Sequence, residues 1–196
     1  MSRSAATKRV TKETQISARV DLDGTGVHNV ATMVPFFDHM LGQLAKHGSC
    51  DIELQATGDI EVDAHHLIED VGIVLGQLFA QALGDKVGIT RFASVSVPLD
   101  EALVDVALDL SGRAYLYYAV DTTNMAPLGS PAMDPQLGEE FFRAFCHSAN
   151  ICLHIDLRRG VNAHHILEAT FKAVARAIAS AKVIVGDSVP STKGVL

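Results

Sequence analysis

The chain has 196 residues, 48% hydrophobic and 20% charged, which suits a globular protein with one large domain or two small ones. Its formal charge of -7 argues against nucleic acid as a partner, because phosphate backbones recruit basic faces. No run of about 18 apolar residues occurs and residues 1–9 are polar, so neither a membrane span nor a secretory signal is expected.

Residues 9–21 alternate as an exposed-edge strand would, Asp23-Gly24-Thr25-Gly26 forms a turn, and 27–32 return as a strand. Residues 35–46 make an amphipathic helix with Phe36, Met40 and Leu44 on one side and Pro35 in its first turn. A strand at 50–56 is closed by Thr57-Gly58-Asp59, and a long helix at 64–83 stops at Gly84. Strands follow at 91–98 and 102–110. The segment 121–135, rich in Pro, Gly, Ser and Asn, is a flexible loop or lid. A helix at 137–148, a strand at 150–157 and a helix at 163–182 complete the pattern, and the tail 191–196 has no periodicity. Cys50, Cys146 and Cys152 are odd in number and form no CxxC, as in a protein of the reducing cytoplasm.

The pattern is a repeat. Asp63-Ala64-His65-His66-Leu67-Ile68-Glu69 returns as Asn162-Ala163-His164-His165-Ile166-Leu167-Glu168, with Asp63 and Asn162 in capping positions. Upstream, Ile52 and Leu54 map onto Leu153 and Ile155, and His39 onto Glu140. The expected architecture is an α+β sandwich: a single domain of two ββαβα halves, about 9–90 and 91–185, with a tail at 186–196. Two four-stranded sheets would enclose the helices.

In each copy of the motif a histidine and the glutamate stand at i and i+4, and the second histidine and glutamate at i and i+3, so all three lie on one side of a helix. Two imidazoles and a carboxylate hold divalent transition metals. Adjacent histidines point about 100° apart, which suits two ions better than one. His65, His66, Glu69, His164, His165 and Glu168 are therefore candidate ligands, with His39 and Glu140 as further donors suited to Mn²⁺ or Fe²⁺. Arg91, Arg113 and Lys193, with Ser191, sit at element ends where they could hold a phosphate or simply carry surface charge. Lys172, one turn past Glu168, could reach the same region or face solvent.

Phe36-Phe37-Asp38-His39-Met40-Leu41, the two HH motifs, Ser111-Gly112-Arg113 and the terminal Ser191-Thr192-Lys193-Gly194 together resemble the imidazoleglycerol-phosphate dehydratase family of histidine biosynthesis, over 9–196. The resemblance implies a hydro-lyase converting D-erythro-imidazole-glycerol phosphate to imidazole-acetol phosphate. It implies two Mn²⁺ ions and a cytoplasmic homo-oligomer, a twenty-four-subunit cage with sites between subunits. It makes His39, His65, His66, Glu69, His164, His165 and Glu168 metal ligands, and Arg91, Arg113, Lys172, Ser191 and Lys193 substrate contacts. It makes Glu13 the acid/base; by itself Glu13 would be a solvated strand residue. Many members carry histidine where this chain has Glu140. The proton lost is not beside a carbonyl, so the expected route runs through a metal-bound imidazolate that expels hydroxide. Glu13 is then the first choice of base, with Glu69 or Glu168 assisting.

Overall fold

Alternation along β2 (Thr14–Asp21) buries Ile16, Ala18 and Val20 and leaves Gln15, Ser17 and Arg19 outside, so one sheet face must be covered. The computed structural model, which describes residues 3–196, shows what covers it. The first half runs β1 (Ser4–Val10), β2, β3 (His28–Ala31), α1 (Pro35–Gly48), β4 (Asp51–Gly58) and α2 (His65–Leu83). The second runs β5 (Phe92–Leu99), β6 (Ala102–Asp109), β7 (Tyr115–Ala119), α3 (Leu137–Ala149), β8 (Cys152–Arg159) and α4 (Ala163–Ala181). The two four-stranded sheets have the same order, β1-β2-β4-β3 and β5-β6-β8-β7, with the last pair of each parallel.

Helices α1 and α2 lie on the first sheet and α3 and α4 on the second; α2 packs on α3, and α1 on α4. Between them Phe37, Phe141, Phe142, Phe145 and Phe171 are fully buried, with Phe142 and Phe171 centroids 4.7 Å apart. Small residues set the α2–α3 distance. A Cβ on Gly72 would stand 2.7 Å from the Phe141 carbonyl oxygen, and one on Gly76 2.5 Å from that of Phe145. The helices carrying the candidate ligands therefore approach backbone to backbone.

The sandwich with enclosed helices is as expected, but each half is βββαβα rather than ββαβα. Residues 9–21 are not one strand. Thr11 Oγ1 accepts the amides of Glu13 at 3.1 Å and Thr14 at 2.9 Å, and this side-chain turn folds the stretch into the β1–β2 hairpin. The first half accordingly starts at Ser4, not 9. Strand β7 falls between Arg113 and the loop, where no strand was expected. Helix α2 starts at His65 with Ala64 as its cap residue, while Asp63 still accepts the His65 amide at 2.7 Å. Asn162 caps α4 as expected, accepting the His165 amide at 3.2 Å. Among the described residues no helix is long and apolar enough to cross a membrane.

Candidate metal centre and anion pocket

Packing of α1 on α4 brings His39 beside the second motif. Asp38 accepts the amide and hydroxyl of Thr32, at 2.8 and 2.6 Å, and so pins the first turn of α1. His39 Nε2 then lies 3.1 Å from Glu168 Oε2, and His164 Nε2 2.9 Å from the same oxygen. The donor atoms of His39, His164 and Glu168 all fall within 4.8 Å of one another. Lys172 Nζ meets the other oxygen at 2.5 Å. Burial alone would raise the Glu168 pKa, but bonds from Lys172, His39 and His164 outweigh it and hold it at about 2. It is a permanent carboxylate among imidazoles, suited to a divalent cation.

The first motif is looser. His65 Nε2 lies 3.9 Å from Glu69 Oε2. Glu140 occupies the α3 position equivalent to His39 on α1; both helices end in left-handed residues, Ser49 and Asn150. It lines, with His65 and Asp63, a cavity of about 570 Å³ that Asp121, Thr122, Thr123, Pro127 and Pro131 also line. Among the described residues its one ion pair is a 3.8 Å approach of Arg143.

The remaining histidines of the two pairs are oriented by carboxylates. His66 Nδ1 is 3.0 Å from Asp59 Oδ2, and His165 Nδ1 2.7 Å from Glu101 Oε2. A carboxylate only accepts, so Nδ1 carries the proton and Nε2 is left for a ligand. The Asp59 bond raises the His66 pKa, and the Glu101 bond that of His165. His165, with two backbone amides in support, holds Glu101 at about 2.

Arg91, Arg113, Ser191 and Lys193 line one open pocket of about 650 Å³ with Pro190, Thr192, Val195 and Leu196. Arg91 is committed within it. Nε and Nη2 donate to Asp109 at 2.7 and 3.2 Å, which raises the Arg91 pKa, and Nη1 donates to the Pro190 carbonyl at 2.7 Å. Arg113 and Lys193 are exposed, and neither is ion-paired among the described residues.

The imidazoleglycerol-phosphate dehydratase family model matches residues 32–178, from the turn before α1 to the last turn of α4. The chain belongs to that family. An imidazoleglycerol-phosphate dehydratase of Gluconacetobacter diazotrophicus is 53% identical over 99% of this chain and 98% of its own. One of Methanopyrus kandleri is 50% identical over 99% and 96%. The crystal structure of the Staphylococcus aureus family member superposes with a TM-score of 0.81 at 34% identity, covering 94% of this chain and 99% of that one. That of Pyrococcus furiosus, in complex with (S)-C348, gives 0.79 at 33%, covering 97% and 100%. The family is one of hydro-lyases of histidine biosynthesis, and the chain is an enzyme of that class.

Within the family frame, one chain gathers its candidate residues into separate groups. His39, His164, Glu168 and Lys172 form one. His65 and Glu69 form a second, with Glu140 on the same cavity as His65. The open pocket lined by Arg91, Arg113, Ser191 and Lys193 is a third, and none of its lining residues is a candidate metal ligand. Glu13 stands exposed at the β1–β2 turn, where its charge adds to the upward shift of His66. Asp59 and Glu101 were missed from sequence. In sequence Asp59 only closes the strand at 50–56, and Glu101 stands in the two-residue turn between β5 and β6 with no motif of its own.

Proposed function

We propose that this chain dehydrates D-erythro-imidazole-glycerol phosphate to imidazole-acetol phosphate, using two Mn²⁺ ions held by the repeated clusters. The observation carrying this reading is the convergence of His39, His164 and Glu168, with Lys172 behind them. The donor set fits a borderline-hard divalent ion: imidazole nitrogens oriented through Nδ1 and a carboxylate kept ionised. Glu140, which the repeat places where α1 has His39, serves as the equivalent donor, a carboxylate that also suits Mn²⁺. His39, His164 and Glu168, with the His65 and Glu69 pair, would hold the ions, which would supply Lewis acidity toward the substrate's imidazole.

The chain's own residues do the rest. Glu13 takes the proton from the carbon next to the one that loses hydroxide, and the enol product tautomerises to the ketone. Its turn is held to α2 from below. Arg9 donates to Asp70 Oδ1 at 3.2 and 2.9 Å, and the Thr14 hydroxyl donates to Oδ2. Glu69 and Glu168 assist, but a carboxylate shared with a metal is a weaker base. Arg113 and Lys193, with the Ser191 hydroxyl and Arg91, bind the phosphate and set its distance from the metals, which is positioning rather than chemistry.

The three groups of residues meet when copies of the chain assemble into a homo-oligomer, a twenty-four-subunit cage with the sites between subunits. One chain brings three donor groups together at His39, His164 and Glu168, and further donors for the ion would come from a second chain's motif. Product formation from imidazole-glycerol phosphate tests the reading, using metal-stripped protein with and without Mn²⁺ while particle size is recorded. Turnover and a large particle that both need Mn²⁺ are expected. A metal-dependent particle without turnover would reduce the clusters to structural sites.

A further inference from the structure

The two sheets carry a correspondence that the HH motifs do not show. In the first hairpin Val10 faces Gln15, and β2 meets β4 with Ile16 opposite Ala56 and Ala18 opposite Leu54. In the second hairpin Pro98 faces Leu103, and β6 meets β8 with Val104 opposite Leu157 and Val106 opposite Ile155. β4 and β8 are equivalent strands of the repeat, so Ile16 is equivalent to Val104. Three residues before each, at the hairpin turn, stands a glutamate: Glu13 in one half and Glu101 in the other.

The two equivalent glutamates have opposite surroundings. The Glu101 carboxylate is fully engaged. Oε1 accepts the amides of Val161 at 3.2 Å and Asn162 at 2.8 Å, which ties the hairpin to the start of α4, and Oε2 accepts His165 Nδ1 at 2.7 Å. Asp100, its neighbour in the turn, comes no closer than 3.7 Å to His165 Nε2, outside hydrogen-bond range. In the first half the orienting task falls to Asp59, which takes His66 Nδ1 at 3.0 Å. Glu13 stays exposed near that ring.

We infer that Glu101 is the second-half counterpart of the proposed base Glu13, committed to fixing His165 as the Nδ1–H tautomer so that Nε2 is the only lone pair offered to a metal. The duplication thus yields one free carboxylate and one positioning residue from the same site. Both halves clamp the second histidine of the pair with a carboxylate, but only the first half keeps its hairpin glutamate free. The inference rests on the proposed metal reading, and it extends that reading to residues outside the HH motifs.

The test uses full-length, metal-stripped Glu101→Gln. Its amide oxygen can still accept the Val161 and Asn162 amides, but its NH₂ group then donates to Nδ1 and drives the proton to Nε2. Mn²⁺ binding is followed by electron paramagnetic resonance of the free ion, and the tautomer by ¹⁵N spectra of histidine-labelled metal-free protein. The expected result is one of two classes of Mn²⁺ weakened about 10–100-fold, with a metal-free melting temperature close to wild type. The His165 signal should move from Nδ1–H to Nε2–H. Glu101→Asp, which keeps a carboxylate, should recover part of the affinity and serves if the Gln variant fails to fold. Asp59→Asn should weaken the other class. Unchanged Mn²⁺ affinity and tautomer in Glu101→Gln would overturn the inference, as would a lower melting temperature with affinity intact, which marks a helix cap only. Wild-type protein that takes up no Mn²⁺ would instead sink the proposed function, and the wild-type ¹⁵N spectrum would still decide the tautomer.

Discussion

Gly76→Ala places a methyl group where α2 crosses α3. Its Cβ would meet the Phe145 carbonyl oxygen at 2.5 Å, Ser148 Cβ at 2.7 Å and the Ala149 amide nitrogen at 3.0 Å. Two of these are backbone atoms of a helix, which cannot rotate away. The closest is about 1 Å short of an ordinary contact near 3.5 Å. The helices must separate, at an overpacking cost of about 1–3 kcal/mol, against a gain of about 1 kcal/mol from alanine's better helix propensity. With the crossing tight at Gly72 as well, the upper end of that cost applies and the net loss is about 2 kcal/mol. For a chain of this length that is a fall of about 4–8 °C in melting temperature. Thermal unfolding of metal-free protein by circular dichroism measures it, with Gln77→Ala, exposed on the same helix, as the control expected to change little. The same separation moves α2, with His65 and Glu69, away from Glu140 on α3, so Mn²⁺ uptake should weaken too. A Gly76→Ala protein as stable as the control would refute the close crossing.

Arg9→Ala leaves the mostly buried Asp70 carboxylate with the Thr14 hydroxyl alone, at a cost of about 1–3 kcal/mol in denaturant unfolding. By loosening the turn that carries Glu13 it should also lower kcat more than it raises KM. Glu13→Gln should reduce turnover about 10²–10⁴-fold while Mn²⁺ binding stays at wild-type strength; wild-type turnover would remove Glu13 from the chemistry. His66 and His165 both have pKa values raised above the ordinary 6.5 by their carboxylate partners, so they keep a proton to higher pH in the metal-free protein. The stabilisation from those ion pairs is complete below the unfolded value and is lost as pH rises through the raised one. Mn²⁺ must displace those protons, so its affinity should climb over the same window. Calorimetry in buffers of different ionisation enthalpy should show proton release on binding below the raised pKa. Release that does not vary with pH would count against these two ligands.

The repeat was legible because both copies of HHxxE keep helical spacing, and it carried the two-sheet architecture with it. Elements marked by side-chain turns were not legible. Thr11 closes the β1–β2 hairpin with its hydroxyl, and T-K-E-T continues a polar alternation, so 9–21 look unbroken in sequence. Tyr115–Ala119 has only short aromatic alternation, and its pairing with β8 is parallel and non-local, which no local pattern encodes. At the site, the i,i+4 contact of His164 with Glu168 followed from helix geometry. The arrival of His39 at Glu168 depends on α1 packing against α4; the sequence marked His39 as a further donor but not the motif it would join. Asp59 and Glu101 act from loops, at distances set by the sheets. An alignment of the two hairpins would have paired Glu101 with Glu13, but the HH motifs start too late in each half to suggest it.

The number of Mn²⁺ ions bound per chain at saturation, in protein that is turning over imidazole-glycerol phosphate, tests the account most directly. Two per chain are expected, with activity rising only as they fill. One class should fall with His164→Ala and the other with His65→Ala. Full activity in protein carrying no metal, or binding that survives loss of both histidines, would contradict it.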